Sequence, residues 1–296
     1  MDLFEEHGFH PRTDLGQNFL IDLNIVEYIV TQAELSPRDV VLEVGAGTGS
    51  MTSMMAPLAG AVVAVELDSN MYQLAQAALA SYANVRLLRL DALKNKNRLH
   101  PDVLAAVESE LTAEPGRRLK LVSNLPYSVA TPVVSNLVAT GLPWERMVMT
   151  IQYELGLRMR ARPQSSHYGA LSVWLQAQCS VRMLKKLGPT VFWPRPRVNS
   201  AIMLLTPDDA ARRRIDDRAF FHDYVRRLFH LRRKLLRPVL AGMYRRQLDK
   251  PAIDELLRSQ GLGESSRAEE LTVEQHVALA SALGRAIQTR DGRPEE

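Results

Sequence analysis

Between Asp39 and Ser123, short apolar runs alternate with longer segments of helical period, and this alternation constrains the fold more than any other feature. Asp39–Val44, Ala61–Glu66, Val85–Leu90 and Leu119–Ser123 read as strands. Thr48–Leu58 and Ser69–Tyr82 read as the intervening helices; an earlier helix begins near Asp22, with Ile25, Val26, Ile29 and Val30 at helical spacing. Parallel strands need helical crossovers, so the pattern predicts an α/β fold with a doubly wound, Rossmann-like sheet. Ligands in such sheets sit outside the carboxyl ends of the strands. Gly45, Glu66, Asp91 and Asn124 fall at those ends, which predicts one shared crevice.

The rest of the chain is less regular. Trp144–Gln152, Cys179–Leu187 and Ala201–Leu205 read as further strands, and Lys94–Arg118 as an insertion holding a short helix over Asp102–Leu111. Thr206–Asp209 followed by Ala211–Arg214 reads as a linker, and from Asp217 the pattern is all helical. The expected organisation is a sheet domain over 1–207, a small all-helical domain over 216–288 and a disordered polar tail over 289–296.

Composition sets the setting. Cys179 is the only cysteine, which excludes an internal disulfide framework and fits a reducing compartment. The start, Met1–Glu6, is acidic with no apolar stretch behind it, and no apolar run is long enough to span a bilayer. A cytoplasmic protein without membrane contact is expected. Net charge is only +4, yet Arg182–Arg246 holds 17 Lys/Arg against 5 Asp/Glu, so the remainder is negative. Such asymmetry is the footprint of a polyanion binder.

Asn124-Leu125-Pro126-Tyr127, at the tip of the fourth strand, suits the holding of a planar aromatic amine. Tyr127 offers a stacking face and the Asn124 side-chain carbonyl an acceptor for an exocyclic N–H. Pro126 extends Leu125, which frees the Leu125 carbonyl as a second acceptor. Glu43-Val44-Gly45-Ala46-Gly47-Thr48-Gly49 lies between a strand and a helix, with Glu66 some twenty residues on as a ribose acceptor. That spacing leaves NAD and S-adenosylmethionine open. The G-x-G-x-G form, and Asp91 as an acceptor for an adenine amine, lean toward the second. A nicotinamide dehydrogenase also predicts an acid/base side chain near the switch point, and the sequence offers none. His167 reads as a surface or loop residue.

These stretches resemble the KsgA-type rRNA adenine N6,N6-dimethyltransferase family. The match extends to Leu15-Gly16-Gln17-Asn18-Phe19-Leu20-Ile21-Asp22, Glu66-Leu67-Asp68, Asp91-Ala92-Leu93, Tyr168–Val173, Phe192–Val198 and the Leu228–Leu236 run, covering roughly 12 to 240 in family order. The resemblance implies a methyltransferase sheet, with Asn18, Leu20, Gly45, Glu66, Asp91 and Asn124 lining an S-adenosylmethionine pocket and the segment 1–38 covering it. It implies that Asn124, Leu125 and Tyr127 hold the target adenine, with Phe192 as a second aromatic beside it, and that no metal takes part. Arg195, Arg197, Arg226, Arg227, Arg232, Arg233 and Lys234 would then contact RNA backbone. The implied reaction is dimethylation of two adjacent adenines in a 3′-end hairpin loop of 16S rRNA, by a monomer acting in small-subunit assembly. Two alternatives remain: a resistance-type enzyme acting on 23S rRNA, and a non-catalytic nucleic-acid-associated factor on the same scaffold. Three features depart from the family: Leu90 in place of a glycine, the long Lys94–Arg118 segment, and Tyr153 where relatives often carry lysine.

Overall fold

Strands buried on both faces must be apolar throughout, and Asp39–Val44 and Ala61–Glu66 are buried at every position. The computed structural model, which describes Arg12 and residues 16–291, builds the sheet around these two strands. Leu15 of the N-terminal motif, most of the segment before it and residues 292–296 lie outside the described residues.

In chain order the first elements are β1 (Phe19–Leu20), α1 (Leu23–Gln32), β2 (Asp39–Val44), α2 (Ser50–Met55), β3 (Ala61–Glu66), α3 (Ser69–Leu79) and β4 (Val85–Arg89). A hairpin, β5 (Leu93–Asn95) and β6 (Arg98–Leu99), leads to α4 (Pro101–Ala113), β7 (Arg118–Asn124), α5 (Ala130–Ala139), β8 (Trp144–Gln152) and α6 (Tyr153–Met159). Then follow α7 (Ala170–Gln176), β9 (Cys179–Leu187), β10 (Phe192–Trp193) and β11 (Ser200–Pro207). The last elements are α8 (Asp209–Arg212), α9 (Arg218–Leu228), α10 (Leu236–Met243), α11 (Lys250–Ser259) and α12 (Val273–Asp291).

Seven strands form one sheet in the order β4-β3-β2-β7-β8-β11-β9. The pairs β2–β3, β3–β4, β2–β7 and β7–β8 are parallel, and β11 runs antiparallel to β8. The chain steps outward from β2 to β4 and then returns to the other side of β2 as β7. The switch point therefore lies between the carboxyl ends of β2 and β7. The Ser123 hydroxyl donates to the Val44 carbonyl at 2.6 Å and ties those ends together.

The expected insertion is not an appendage. Helix α4 is the crossover that returns the chain from edge strand β4 to β7, and it packs Val103, Ala106 and Val107 onto the sheet. A parallel connection of this span requires such a helix. It runs longer than the expected Asp102–Leu111, with Pro101 in its first turn and the His100 ring capping the Asp102 N–H.

The described chain forms two compact units: residues up to Gly156 with Arg182–Pro207, and Leu157–Val181 with the chain from Asp208. Residues 157–181, assigned by sequence to the sheet domain, thus group with the C-terminal helices. In that second unit α9 buries Phe221, Tyr224, Val225 and Leu228 against α7 and α12. The buried Tyr168 hydroxyl donates to the Leu271 carbonyl, and His276 lies between the Tyr224 hydroxyl and the Ala268 carbonyl. Helix α12 continues to Asp291, so the first residues of the expected disordered tail are helical. Among the described residues no helix is long and apolar enough to cross a membrane.

Candidate active site

The loop after β2 turns through left-handed backbone at Gly45 (φ 82°) and Gly47 (φ 59°), a region that favours glycine. A Cβ on Gly45 would lie 3.0 Å from Cδ of Pro126, so the bare backbone is what lets the β2 tip meet the Asn124–Tyr127 turn. One on Gly47 would press on the Phe19 ring at 3.3 Å. The N–H groups of Gly45 and Ala46 both donate to the Val65 carbonyl, at 2.8 and 3.1 Å. A cavity of about 250 Å³ opens above this loop.

Two carboxyl groups flank the loop in different surroundings. Glu66 is nearly buried and accepts from the Gly47 and Asp68 backbone N–H groups, each at 2.8 Å. Burial raises its pKa, while those two N–H groups oppose the rise. The Leu67 N–H opposes it as well, and Glu66 lines the cavity. Glu43 is fully buried beneath the loop and accepts from the Thr52 hydroxyl at 2.5 Å. Desolvation pushes its carboxyl up to about 8; the Thr52 bond works against this and the Glu66 charge adds to it. Burial thus favours the protonated form of Glu43, which supports the loop from below. Beyond Glu66, Asp91 is exposed, with Oδ1 accepting from the Leu93 N–H at 2.8 Å and its other oxygen uncommitted among the described residues. Leu67 and Leu90 line the cavity beside it.

On the opposite wall the Asn124 side chain donates from Nδ2 to the Asn18 carbonyl at 2.9 Å, which leaves Oδ1 as an acceptor. Leu125 donates its N–H to the Thr150 carbonyl at 3.1 Å, and no described donor bonds its own carbonyl. Tyr127 is half-buried; its hydroxyl meets the Ser200 hydroxyl at 2.6 Å, which fixes the ring at the cavity wall. Burial raises the phenol pKa. Asn18, whose Nδ2 donates to the Gly16 carbonyl at 3.0 Å, closes the cavity from the N-terminal side.

The structure thus brings Asn18, Gly45, Glu66, Asp91, Asn124, Leu125 and Tyr127 to one cavity. Two expected residues are elsewhere. Leu20 packs against the core around Ile25 and Ile29 rather than lining the cavity. Phe192 is 1% exposed in that same core, so neither face of its ring is open to a base. The physical reason is the β1–β10 pairing, which sets Leu20 opposite Phe192 and Phe19 opposite Trp193. Neighbouring strand residues face opposite ways, so Trp193 is the half-exposed ring, stacked on Phe19 at 6.4 Å between centroids. Gln17, Phe19, Leu67, Leu90, Ser128 and Val129 also line the cavity, though sequence assigned none of them a place in it. Membership of a motif was the signal for Gln17, Phe19 and Leu67, and adjacency to one for the other three.

The cations also divide. Arg195, Arg197, Arg233 and Lys234 are exposed, and Arg226 is exposed beside Asp223 at 2.9 Å. Arg227 bonds Asp223 and the Met243 carbonyl and lies over the Tyr244 ring. Arg232 donates to the Tyr168 and Ser166 carbonyls and faces Glu269 at 3.6 Å. Both are half-buried and take part in the helical unit's own structure. Tyr153, the departure at the end of β8, holds Lys186 over its ring at 4.5 Å.

The cavity suits S-adenosylmethionine. A glycine-lined floor admits close backbone approach, and the acceptors of Glu66 and Asp91 flank apolar walls. Asn124 and Leu125 supply uncharged acceptors at the far side.

Residues 8–283 match the family described as ribosomal RNA adenine dimethylase. The ribosomal RNA small subunit methyltransferase A of Halothermothrix orenii is 35% identical over all of this chain and 95% of its own length. That of Moorella thermoacetica is 36% identical over 95% of each. Among solved structures, a dimethyladenosine transferase from Plasmodium falciparum superposes with a TM-score of 0.75 at 21% identity, covering 90% of this chain and 98% of that one. The 23S rRNA methyltransferase ErmE gives 0.60 at 22% identity, covering 90% of this chain and all of that one; both show the fold alone.

Proposed function

Since the chain belongs to the ribosomal RNA adenine dimethylase family, we propose that it dimethylates N6 of two adjacent adenines in a 3′-end hairpin loop of 16S rRNA, within the small ribosomal subunit. It does so in the cytoplasm, as a monomer, and thereby takes part in ribosome biogenesis. One observation carries the reading: the Asn124 amide spends its Nδ2 on the Asn18 carbonyl, which leaves its oxygen as an acceptor at the cavity that Glu66 and Asp91 also line. When bound, S-adenosylmethionine supplies an electrophilic methyl group on a sulfonium centre.

The chain's own residues do the rest. Glu66, at the cavity wall, accepts from ribose hydroxyls. Asp91 accepts from the cofactor's adenine amine between the Leu67 and Leu90 walls. Asn124 Oδ1 and the Leu125 carbonyl accept the two N6–H groups of the target base, favouring the pyramidal, positively charged nitrogen that forms during transfer. Each such bond contributes about 1.5–3 kcal/mol, and alignment of the reacting atoms about 7–11 kcal/mol. Positioning dominates, and no general base is needed; the lost protons pass to water. Tyr127 stacks on the extruded base, worth roughly 1–3 kcal/mol. The helical domain and the sheet domain both grip RNA backbone, through Arg226, Arg233 and Lys234 in the first and Arg195 and Arg197 in the second.

The 35–36% identity to small-subunit enzymes favours that substrate over 23S rRNA. The intact Glu66, Asp91 and Asn124 favour an enzyme over a non-catalytic factor. Labelled-methyl transfer to undermethylated small subunits, free 16S rRNA and large subunits, with mapping of the modified nucleotides, tests the reading. Label at two adjacent small-subunit adenines is expected; label confined to large subunits, or none, refutes it.

A further inference from the structure

The β5–β6 hairpin leaves the cavity wall directly, because Asp91 and Ala92 line the cavity and Leu93 begins the first strand. From Lys94 to Arg98 every residue is exposed and none is acidic, and Lys94, Lys96 and Arg98 have no ion pair or side-chain hydrogen bond among the described residues. The next acid along the chain, Asp102, faces His100 at 3.8 Å. Yet the hairpin is firmly held. Leu99 is buried opposite Leu93, the His100 N–H donates to the Ala92 carbonyl at 2.9 Å, and the Asn95 side chain closes the turn onto the Asn97 N–H at 2.9 Å. Its turn also leans on α5, where Asn136 donates to the Lys96 carbonyl. The hairpin is thus anchored at the cavity wall through Asp91 and Ala92, and its turn rests on the helix that follows the cavity-lining residue Val129.

Three like charges held within five residues, none of them ion-paired among the described residues, make a basic surface that a polyanion would neutralise. We propose that this hairpin is a docking surface for the phosphate backbone of the RNA strand that delivers the target adenine, with Lys94, Lys96 and Arg98 as its contacts. The proposal rests on the reading above, in which a base is extruded into this cavity. The phosphates on either side of that base then have to leave across the mouth. Phosphate contacts of this kind set position and register without reading sequence.

The test uses the full chain carrying K94Q, K96Q and R98Q together, with a K94R/K96R/R98K variant as the charge-preserving control. Binding to undermethylated small subunits and to naked 16S rRNA is measured across a salt series, and S-adenosylmethionine affinity by calorimetry. Three lost single-strand contacts flatten the log–log salt slope by about 2, which is roughly 100-fold in affinity at about 0.1 M salt. Cofactor affinity is expected to stay at the wild-type value, and the charge-preserving variant to bind as wild type. An unchanged slope overturns the proposal, and so does loss of cofactor binding, which would make the hairpin a support of the cavity. A loss seen with subunits but not with naked rRNA would assign the surface to an acidic protein and also overturn it. If the wild-type chain itself binds no rRNA and methylates none, the functional reading fails first, and that result is read before any variant is made.

Discussion

Replacing Asn124 with alanine removes two things at once: the acceptor Oδ1 and the 2.9 Å bond that holds the Asn18 carbonyl. A hydrogen bond to a centre that gains positive charge contributes about 1.5–3 kcal/mol, or roughly 10- to 150-fold in kcat. The freed backbone at Asn18 adds misplacement, and about 1 Å of that costs roughly 100-fold. Asn124→Ala should therefore lower kcat by about 1000-fold or more. Cofactor affinity should fall only about 2- to 12-fold, the worth of one neutral hydrogen bond. Single-turnover transfer of labelled methyl to saturating small subunits gives the first quantity, and calorimetry with S-adenosylmethionine the second. Turnover near the wild-type rate would refute the assignment of Asn124 to the acceptor nitrogen. Abolished cofactor binding would place the residue wholly on the cofactor side.

Other residues give sharper tests of single terms. Tyr127→Phe keeps the ring and loses only the Ser200 contact, so RNA affinity should hold; Tyr127→Ala should cost about 1–3 kcal/mol in binding of undermethylated subunits, read by filter binding. Glu43 holds its proton up to about 8 when folded but sheds it near 4.5 when unfolded, so the folded chain carries the extra proton and stability falls as pH rises through that window. Glu43→Gln should remove this dependence and raise the thermal midpoint at pH 8 relative to wild type, with the gap closing toward pH 4.5. His276 has the opposite sign: its folded pKa is lowered from 6.5 to about 4 by burial, so the unfolded chain binds the extra proton and stability falls as pH drops through that window. The full loss is on the order of 3 kcal/mol, measurable by denaturant unfolding at pH 7 and pH 4.

The short apolar runs and the period-3.6 segments between them make the sheet legible, because strands buried on both faces advertise themselves as unbroken apolar runs. The strand tips followed, since a parallel sheet places ligands there whatever its exact order. The Phe192 side chain was illegible for a definite reason. It belongs to a two-residue strand whose partner, β1, lies far away in the chain, and a one-residue change of register would exchange its place with Trp193. The arginines show a mixed case. Asp223 stands four residues before Arg227, a spacing that signals an ion pair, whereas the Tyr168 carbonyl that engages Arg232 carries no sequence signal. The crossover helix was half visible: Val103, Ala106 and Val107 have helical spacing, but the basic hairpin before them disguised the segment as an insertion.

The central claim is that four strand tips form one cavity with the cofactor's acceptors on one wall and the target-amine acceptors on the other. A crystal structure of the full chain with S-adenosylhomocysteine tests it most directly. The account predicts ribose hydroxyls on Glu66, the adenine amine at Asp91 and the sulfur directed toward Asn124. A ligand bound outside this crevice, or an Asn124 amide turned away from it, would contradict the account.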